Sequence, residues 1–376
     1  MFFNKRFFNK RQFLKQLCWL GGATSMLPGK GILAEEKQQS VDRDIASAMQ
    51  HAKLAMQFKG KSRTEFDAWQ RTFRSQLNQL LGDSSPPKDW IVNEVGREEF
   101  KDHTRLDLLL GADGIPSLPV YLLKPKTRSS QPLPGVLCIH GHGPLGHDAV
   151  VGRQNQTDAA QHIEKSNYDY GLQFVRRGYL VAAPCMIPFG RRVESERYGG
   201  KDPCAVTFVR MQALGQLPIT SNLRDLRWTI SLLEQQTNLK PASIGCAGLS
   251  YGGRMAMLVS AIDPRIRIAA ISGALNLMQE RLSQRHSCGS QVIPRLLQYG
   301  DYSEIGGLIA PRPAVWETGS QDRLIVPEWD ERFRARLRRI YHAAGVPQNL
   351  HFDRFEGGHR WSGRVATPLF DQLLKS

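Results

Sequence analysis

The chain has no run of 18 or more apolar residues, so no helix that could span a membrane is expected. Its six cysteines include no C-x-x-C pair and no His/Cys cluster with zinc-site spacing, and no metal or other cofactor is expected. Repeats, low-complexity segments and nucleic-acid motifs are absent, which leaves solenoids, linkers and sequence readers without support. Acidic residues are missing altogether before Glu35, although the chain carries 35 of them.

That acid-free start has a layout of its own. "MFFNKRFFNKRQFLKQLCWLGGATSMLPGKGILAEE" runs from basic residues to a short apolar stretch, Leu17 to Leu27, and then to the small residue Ala34. Basic, apolar, small is the order of a cleavable export signal, so 1–34 is expected to leave a periplasmic or extracellular product. "NKRQFLK" resembles the twin-arginine export motif, with Lys10 and Asn9 replacing its first arginine and serine. The alternative is an amphipathic basic helix that stays on the protein. Removing the six basic residues of 1–34 from the 50 in the chain leaves 44 against 35 acids, a net +9. Those charges are scattered, as on a solvated surface, and no nucleic-acid partner is expected.

Hydrophobic residues make up 41% of the chain, enough for a full core. Residues 35–88 read as a helical N-terminal extension, with "DIASAMQHAKLAMQF" and "EFDAWQRTFRSQLNQLL" apolar at three- and four-residue steps before "GDSSPPKDW" breaks the pattern. From residue 89 the texture changes. "TRLDLLL" and "LPVYLLKP" suggest an opening hairpin. Then "PGVLCIH", "YLVAAPC", "SIGCAGLS", "RIAAIS", "PAVWETG" and "LHFDRFEG" alternate with helix-like segments. The expected class is α/β, a mostly parallel central sheet with helices on both faces over 89–376. In such sheets, chemistry sits in the loops at the carboxyl ends of the strands.

Those loops hold the residue types of acyl transfer. Gly248-Leu249-Ser250-Tyr251-Gly252, between a predicted strand and a predicted helix, has the G-x-S-x-G spacing of a nucleophile on a sharp bend. A serine hydroxyl needs a base, and the base needs an acid to orient it. Asp322 and His359 each follow a predicted strand, in the chain order serine, acid, histidine. Their rivals are placed worse: Glu317 and His351 lie within strands, His342 lies within a helix, and Glu328 and Asp330 open that helix. "HGHG", residues 140–143, can supply one backbone N–H at His142 to an oxyanion, and Tyr251 the other. His140 and His142 are not expected to hold a metal: they lie on a tight glycine turn, and no acid or cysteine completes a ligand set nearby. Cys138, Cys185 and Cys246 sit in apolar runs. Cys204 and Cys288 sit in polar ones, and are the candidates if one disulfide forms. Arg191 and Arg192, after "YLVAAPC", either bind a substrate carboxylate such as a uronate or hold their loop by salt bridges.

Taken together, "CIHGHG", "YGLQFVRRGYLVAAPCMIPFGRR", "IGCAGLSYGG", "LIAPRPAVWETGSQDRLIVP" and "EGGHRW" resemble the α/β-hydrolase superfamily. Within it, the likeness is to bacterial dienelactone-hydrolase-like and acetyl-xylan-esterase-like serine hydrolases. The resemblance implies an ester hydrolase without cofactor, acting on a small ester or an esterified polysaccharide. Dienelactone hydrolases proper use a cysteine where this chain has Ser250. "GLSYGG" is also similar to prolyl-oligopeptidase-type serine peptidases, which makes a peptidase the alternative activity. A non-catalytic glycan-binding protein on the same scaffold is the alternative of another class.

Overall fold

The computed structural model describes residues 40–127, 131–154 and 157–376. The expected export signal, Cys18 included, lies outside the described residues. The chain divides into two units, 1–41 and 42–376. The second is built on a nine-stranded sheet of order β1-β2-β3-β5-β4-β6-β7-β8-β9. The strands are β1 Ile91–Glu99, β2 His103–Ala112, β3 Ile115–Pro125, β4 Leu133–Ile139, β5 Leu180–Pro184, β6 Leu239–Leu249, β7 Ile266–Ser272, β8 Ala314–Gly319 and β9 Leu350–Phe355. β1 to β3 form an antiparallel meander that joins β5 antiparallel. From β5 to β9 every pairing is parallel.

The parallel strands read as continuous apolar runs because both their faces are covered. Successive residues alternate between two cores. Leu137 and Ile139 of β4, with Ala269 and Ile271 of β7, face one. Val136, Cys138, Ile268 and Ala270 face the other. Helices Pro218–Glu234, Tyr251–Ile262 and Pro327–Ala343 cover the first face, and Tyr170–Arg176 and Ala366–Leu374 the second. These strands and helices lie where the apolar periodicity puts them, except Ala366–Leu374, which the sequence reading did not place.

The N-terminal extension is helical in part. Val41–Gln50 and Arg63–Leu81 are helices, but "AKLAMQF" is not: the first helix ends at Gln50, and Leu54 adopts a φ of 44°. Phe58 still enters the core. The second helix opens with a reciprocal capping box between Ser62 and Glu65. It sends Phe66, Phe73, Leu77 and Leu81 into the same core as β4 and β7. β1 lacked any sequence signal. Ile91, Val92 and Val95 are exposed, and hydrogen bonding to β2 holds the strand rather than burial.

Candidate active site

The β6 strand ends at Leu249 and helix Tyr251–Ile262 begins one residue later. Ser250 alone makes the bend, with φ 63° and ψ −121°, a region that non-glycine residues rarely enter. Its N–H donates to Ser272 O at 2.9 Å. The flanking glycines are required by backbone proximity. A Cβ on Gly252 would lie 1.9 Å from Ile139 O, and one on Gly248 would lie 2.3 Å from Gly252 O. This is the bend that G-x-S-x-G implied.

His359 Nδ1 lies 2.7 Å from Asp322 Oδ2, and the other carboxylate oxygen of Asp322 accepts from Leu324 N at 2.9 Å. Asp322 is thus held from two sides. His359 Nε2 is buried and, among the described residues, has no hydrogen-bond partner. Its ring packs on the loop that receives Ser250: a Cβ on Gly273 would lie 2.6 Å from His359 Cε1 and 3.3 Å from Leu249 Cδ1. Ser250 and His359, 109 positions apart in sequence, therefore both border Ser272–Gly273.

The histidine loop is pinned at several points. Gln321 N donates to Gly357 O at 2.8 Å, and Trp361 N to Ser166 O at 3.0 Å. Below it, the buried Glu317 accepts from Gly363 N at 2.9 Å and Ser362 N at 3.2 Å. Sequence reasoning set Glu317 aside as a rival triad acid. The structure gives it this different place, under the loop, which its position within a strand did not reveal. Burial pushes its carboxyl from 4.5 up to about 7, against the opposing pull of those two N–H groups. Between these values the folded protein holds a proton that the unfolded chain releases. Glu317 therefore makes stability fall as pH rises from about 4.5 to about 7. Glu317→Gln should flatten that fall in thermal melts across the window. Glu304, buried and also raised to about 7, contributes a separate part that the variant leaves. An unchanged pH slope in the variant would exclude Glu317 as a source.

His140 is fully buried and structural. Its Nε2 accepts from Met186 N at 2.9 Å, so Nδ1 is the protonated nitrogen and donates to Gly141 O at 2.8 Å. Desolvation lowers its pKa to about 4, which keeps the ring neutral. Gly141 is tight against the bend, where a Cβ would lie 3.1 Å from Ser250 Cβ. Its N–H donates to the Tyr168 hydroxyl at 2.5 Å, a partner with no sequence signal. His142 comes next, its ring centroid 4.9 Å from that of Tyr251 and 5.2 Å from that of Phe189. Tyr251 is the first residue of its helix, so its N–H has no carbonyl one turn back and is open to another acceptor. Two hollows flank the His142–Pro144 loop. One, of about 560 Å³, reaches Asp158 and Tyr168. The other, of about 780 Å³, reaches Phe189 and Cys204. Ser250 itself lines neither, so both are neighbours of the bend and not the reacting position.

The two arginines do not offer a free carboxylate grip, which corrects the expectation of substrate binding. Arg191 donates to both oxygens of Asp107 at 2.8 Å and stacks over Tyr121. Arg192 is buried and pairs with the fully buried Asp225. The salt-bridge alternative describes both. Arg192→Ala leaves Asp225 with Arg224 alone, and should cost about 1.5–3 kcal/mol of stability, the worth of one lost hydrogen bond to a charged group. Its losses on acidic and neutral substrates should be equal. A selective loss on acidic ones would restore a binding role.

The expectation that no cysteine completes a ligand set near His142 is corrected in space: Cys204 and Cys288, both distant in sequence, reach it, each as a free thiol.

The bend at Ser250, the Asp322–His359 pair and the six-stranded run of parallel pairings now stand beside a family match. The Abhydrolase family model aligns with residues 36–364. The chain belongs to that family. It is a hydrolase of the α/β-hydrolase superfamily. YtaP of Bacillus subtilis (strain 168), named as a hydrolase, is 28% identical over 290 residues, covering 76% of this chain and 92% of the relative. Among solved structures, a Bacteroides fragilis NCTC 9343 protein described as an acetyl xylan esterase superposes with a TM-score of 0.72. It is 19% identical, over 83% of this chain and 81% of its own. A glucuronoyl esterase from Solibacter usitatus superposes with a TM-score of 0.61 at 13% identity, over 85% and 96% of the two chains. At these identities the two structures speak for the fold. Among the described residues, no helix of the hydrolase is long and apolar enough to cross a membrane.

Proposed function

We propose that this hydrolase is a serine carboxylic-ester hydrolase that removes acyl groups, acetyl first among them, from carbohydrate. Ser250 Oγ attacks the ester carbonyl while His359 Nε2 takes its proton. The N–H groups of Tyr251 and His142 receive the developing oxyanion. His359 then passes the proton to the leaving alcohol, and water releases the acyl group by the reverse sequence. Asp322 accepts from Nδ1–H, which fixes the tautomer that leaves Nε2 free to act as base.

The observation that carries this reading is the unpartnered Nε2 of a histidine whose Nδ1 is 2.7 Å from Asp322. Acetyl is placed before uronate because Arg191 and Arg192 are both engaged by aspartates. The acetyl xylan esterase likeness supports the same order. A panel of acetylated and methyl-esterified polysaccharides, scored for released acetate or methanol, tests it. Acetate release is the expected result. Methanol release alone would put the uronate ester first. Cleavage of aminoacyl amides without ester hydrolysis would favour the peptidase, and binding without any turnover the glycan-binding protein.

We assign 1–34 to an export signal, 35–88 to the helical extension and 89–376 to the catalytic domain, with the mature protein periplasmic or extracellular. The family match beginning at residue 36, just past Ala34, supports the first of these boundaries. N-terminal sequencing of the native protein should start near Glu35. A Met1 start in a cytoplasmic fraction would refute export.

A further inference from the structure

We propose that His142, Cys204 and Cys288 form a binding site for a zinc-class divalent metal beside the proposed oxyanion loop. This goes beyond the ester-hydrolase reading and uses none of its groups, since that reading takes only the backbone N–H of His142 and the metal site its ring.

The ligand atoms of the three residues all lie within 4.8 Å of one another. Tetrahedral zinc with Zn–S of about 2.3 Å and Zn–N of about 2.0–2.1 Å needs ligand atoms roughly 3.5–3.8 Å apart. Side-chain adjustment of about an ångström or less closes the set around an ion. Two thiolates and an imidazole are also the donors that zinc accepts and that calcium and magnesium refuse.

Three separate segments bring these donors together. Cys204 is buried in the first turn of helix Pro203–Ala213, where Asp202 Oδ1 accepts from Cys204 N at 3.1 Å. Cys288 immediately precedes the turn Gly289–Gln291, which is locked onto that helix: a Cβ on Gly289 would lie 2.6 Å from Phe208 Cγ. The His142 ring is wedged between Phe189 and Tyr251. A disulfide would use two of the three donors and leave the imidazole without a reason to converge. Three protein ligands leave a fourth position, and the approximately 780 Å³ hollow lined by His142, Phe189, Asp202 and Cys204 opens onto the cluster. A water or a substrate oxygen fits there. Binding would hold the His142 loop beside Ser250.

The test uses the full mature chain, reduced and freed of metal, titrated with Co²⁺ and then Zn²⁺. The expected result is one equivalent of Co²⁺ with a thiolate-to-cobalt charge-transfer band, displaced by Zn²⁺, and two thiols protected from a disulfide reagent. Cys204→Ser and Cys288→Ser should each remove the band's full intensity and weaken zinc by more than ~100-fold, since even groups behind the ligands are worth 10–100-fold. Ser250→Ala should bind metal like the parent, so failure here is separable from failure of the esterase reading. The wild-type cobalt spectrum decides the matter if a cysteine variant does not fold. A cobalt complex without thiolate absorption, or reduced protein that takes up no metal and only re-forms a 204–288 disulfide, would overturn the proposal.

Discussion

Ser250→Ala lowers ester hydrolysis by about 10⁶-fold, the loss seen when a triad nucleophile is removed. In the proposed mechanism the hydroxyl is the attacking group, and nothing else at the bend replaces it. The neighbouring N–H groups can polarise a carbonyl but cannot bond to it, so only the residual rate from binding and the oxyanion donors survives. The fold should survive as well. Alanine keeps the Cβ that serine already carries at φ 63°, and the backbone bond to Ser272 does not involve the side chain. A melting temperature within a degree or two of the parent, with near-zero turnover of a p-nitrophenyl ester, is the expected pair of readings. Substantial turnover by the variant would move the nucleophile elsewhere.

Asp322→Asn is the second large effect, a fall in kcat of about 10⁴-fold. The carboxylate accepts from His359 Nδ1 at 2.7 Å and from Leu324 N at 2.9 Å. Asparagine keeps the shape. Its carbonyl oxygen can keep only one of those two bonds. With that oxygen on Leu324 N, its NH₂ faces Nδ1 and makes it an acceptor. The ring then carries its hydrogen on Nε2, where it cannot take the serine proton. Because size and burial are unchanged, substrate binding should hold while kcat collapses, and steady-state kinetics separate the two. A loss of less than tenfold would show that another group orients His359.

Most of the candidate site could be proposed from the sequence because its signals are local. Gly248 and Gly252 are dictated by backbone contacts within a few residues of Ser250 and by one neighbouring strand. Asp322 and His359 were found by their places after strands whose apolar runs ended clearly. The parallel sheet was legible for the same reason, since β4 to β8 are buried on both faces. Partners distant in sequence were not legible. Arg191 meets Asp107 across 84 positions, and Arg192 meets Asp225 across 33, so their salt bridges could be weighed but not chosen. Tyr168 under Gly141 and the two thiols beside His142 left no periodicity or motif. β1 escaped because its residues are exposed and pairing, not burial, makes it a strand. The first helix was drawn too long because "AKLAMQF" keeps an apolar pattern that serves packing after the helix has ended.

The central claim is that Ser250 is the attacking group and His359 its base. Reaction with a fluorophosphonate, followed by intact mass and peptide mapping, tests it most directly, because only an activated serine is phosphonylated quickly. The account predicts one adduct per chain, on the peptide containing Ser250, with labelling abolished in Ser250→Ala and slowed by orders of magnitude in His359→Ala. An adduct on a different residue, or labelling of Ser250 at the same rate without His359, would contradict it.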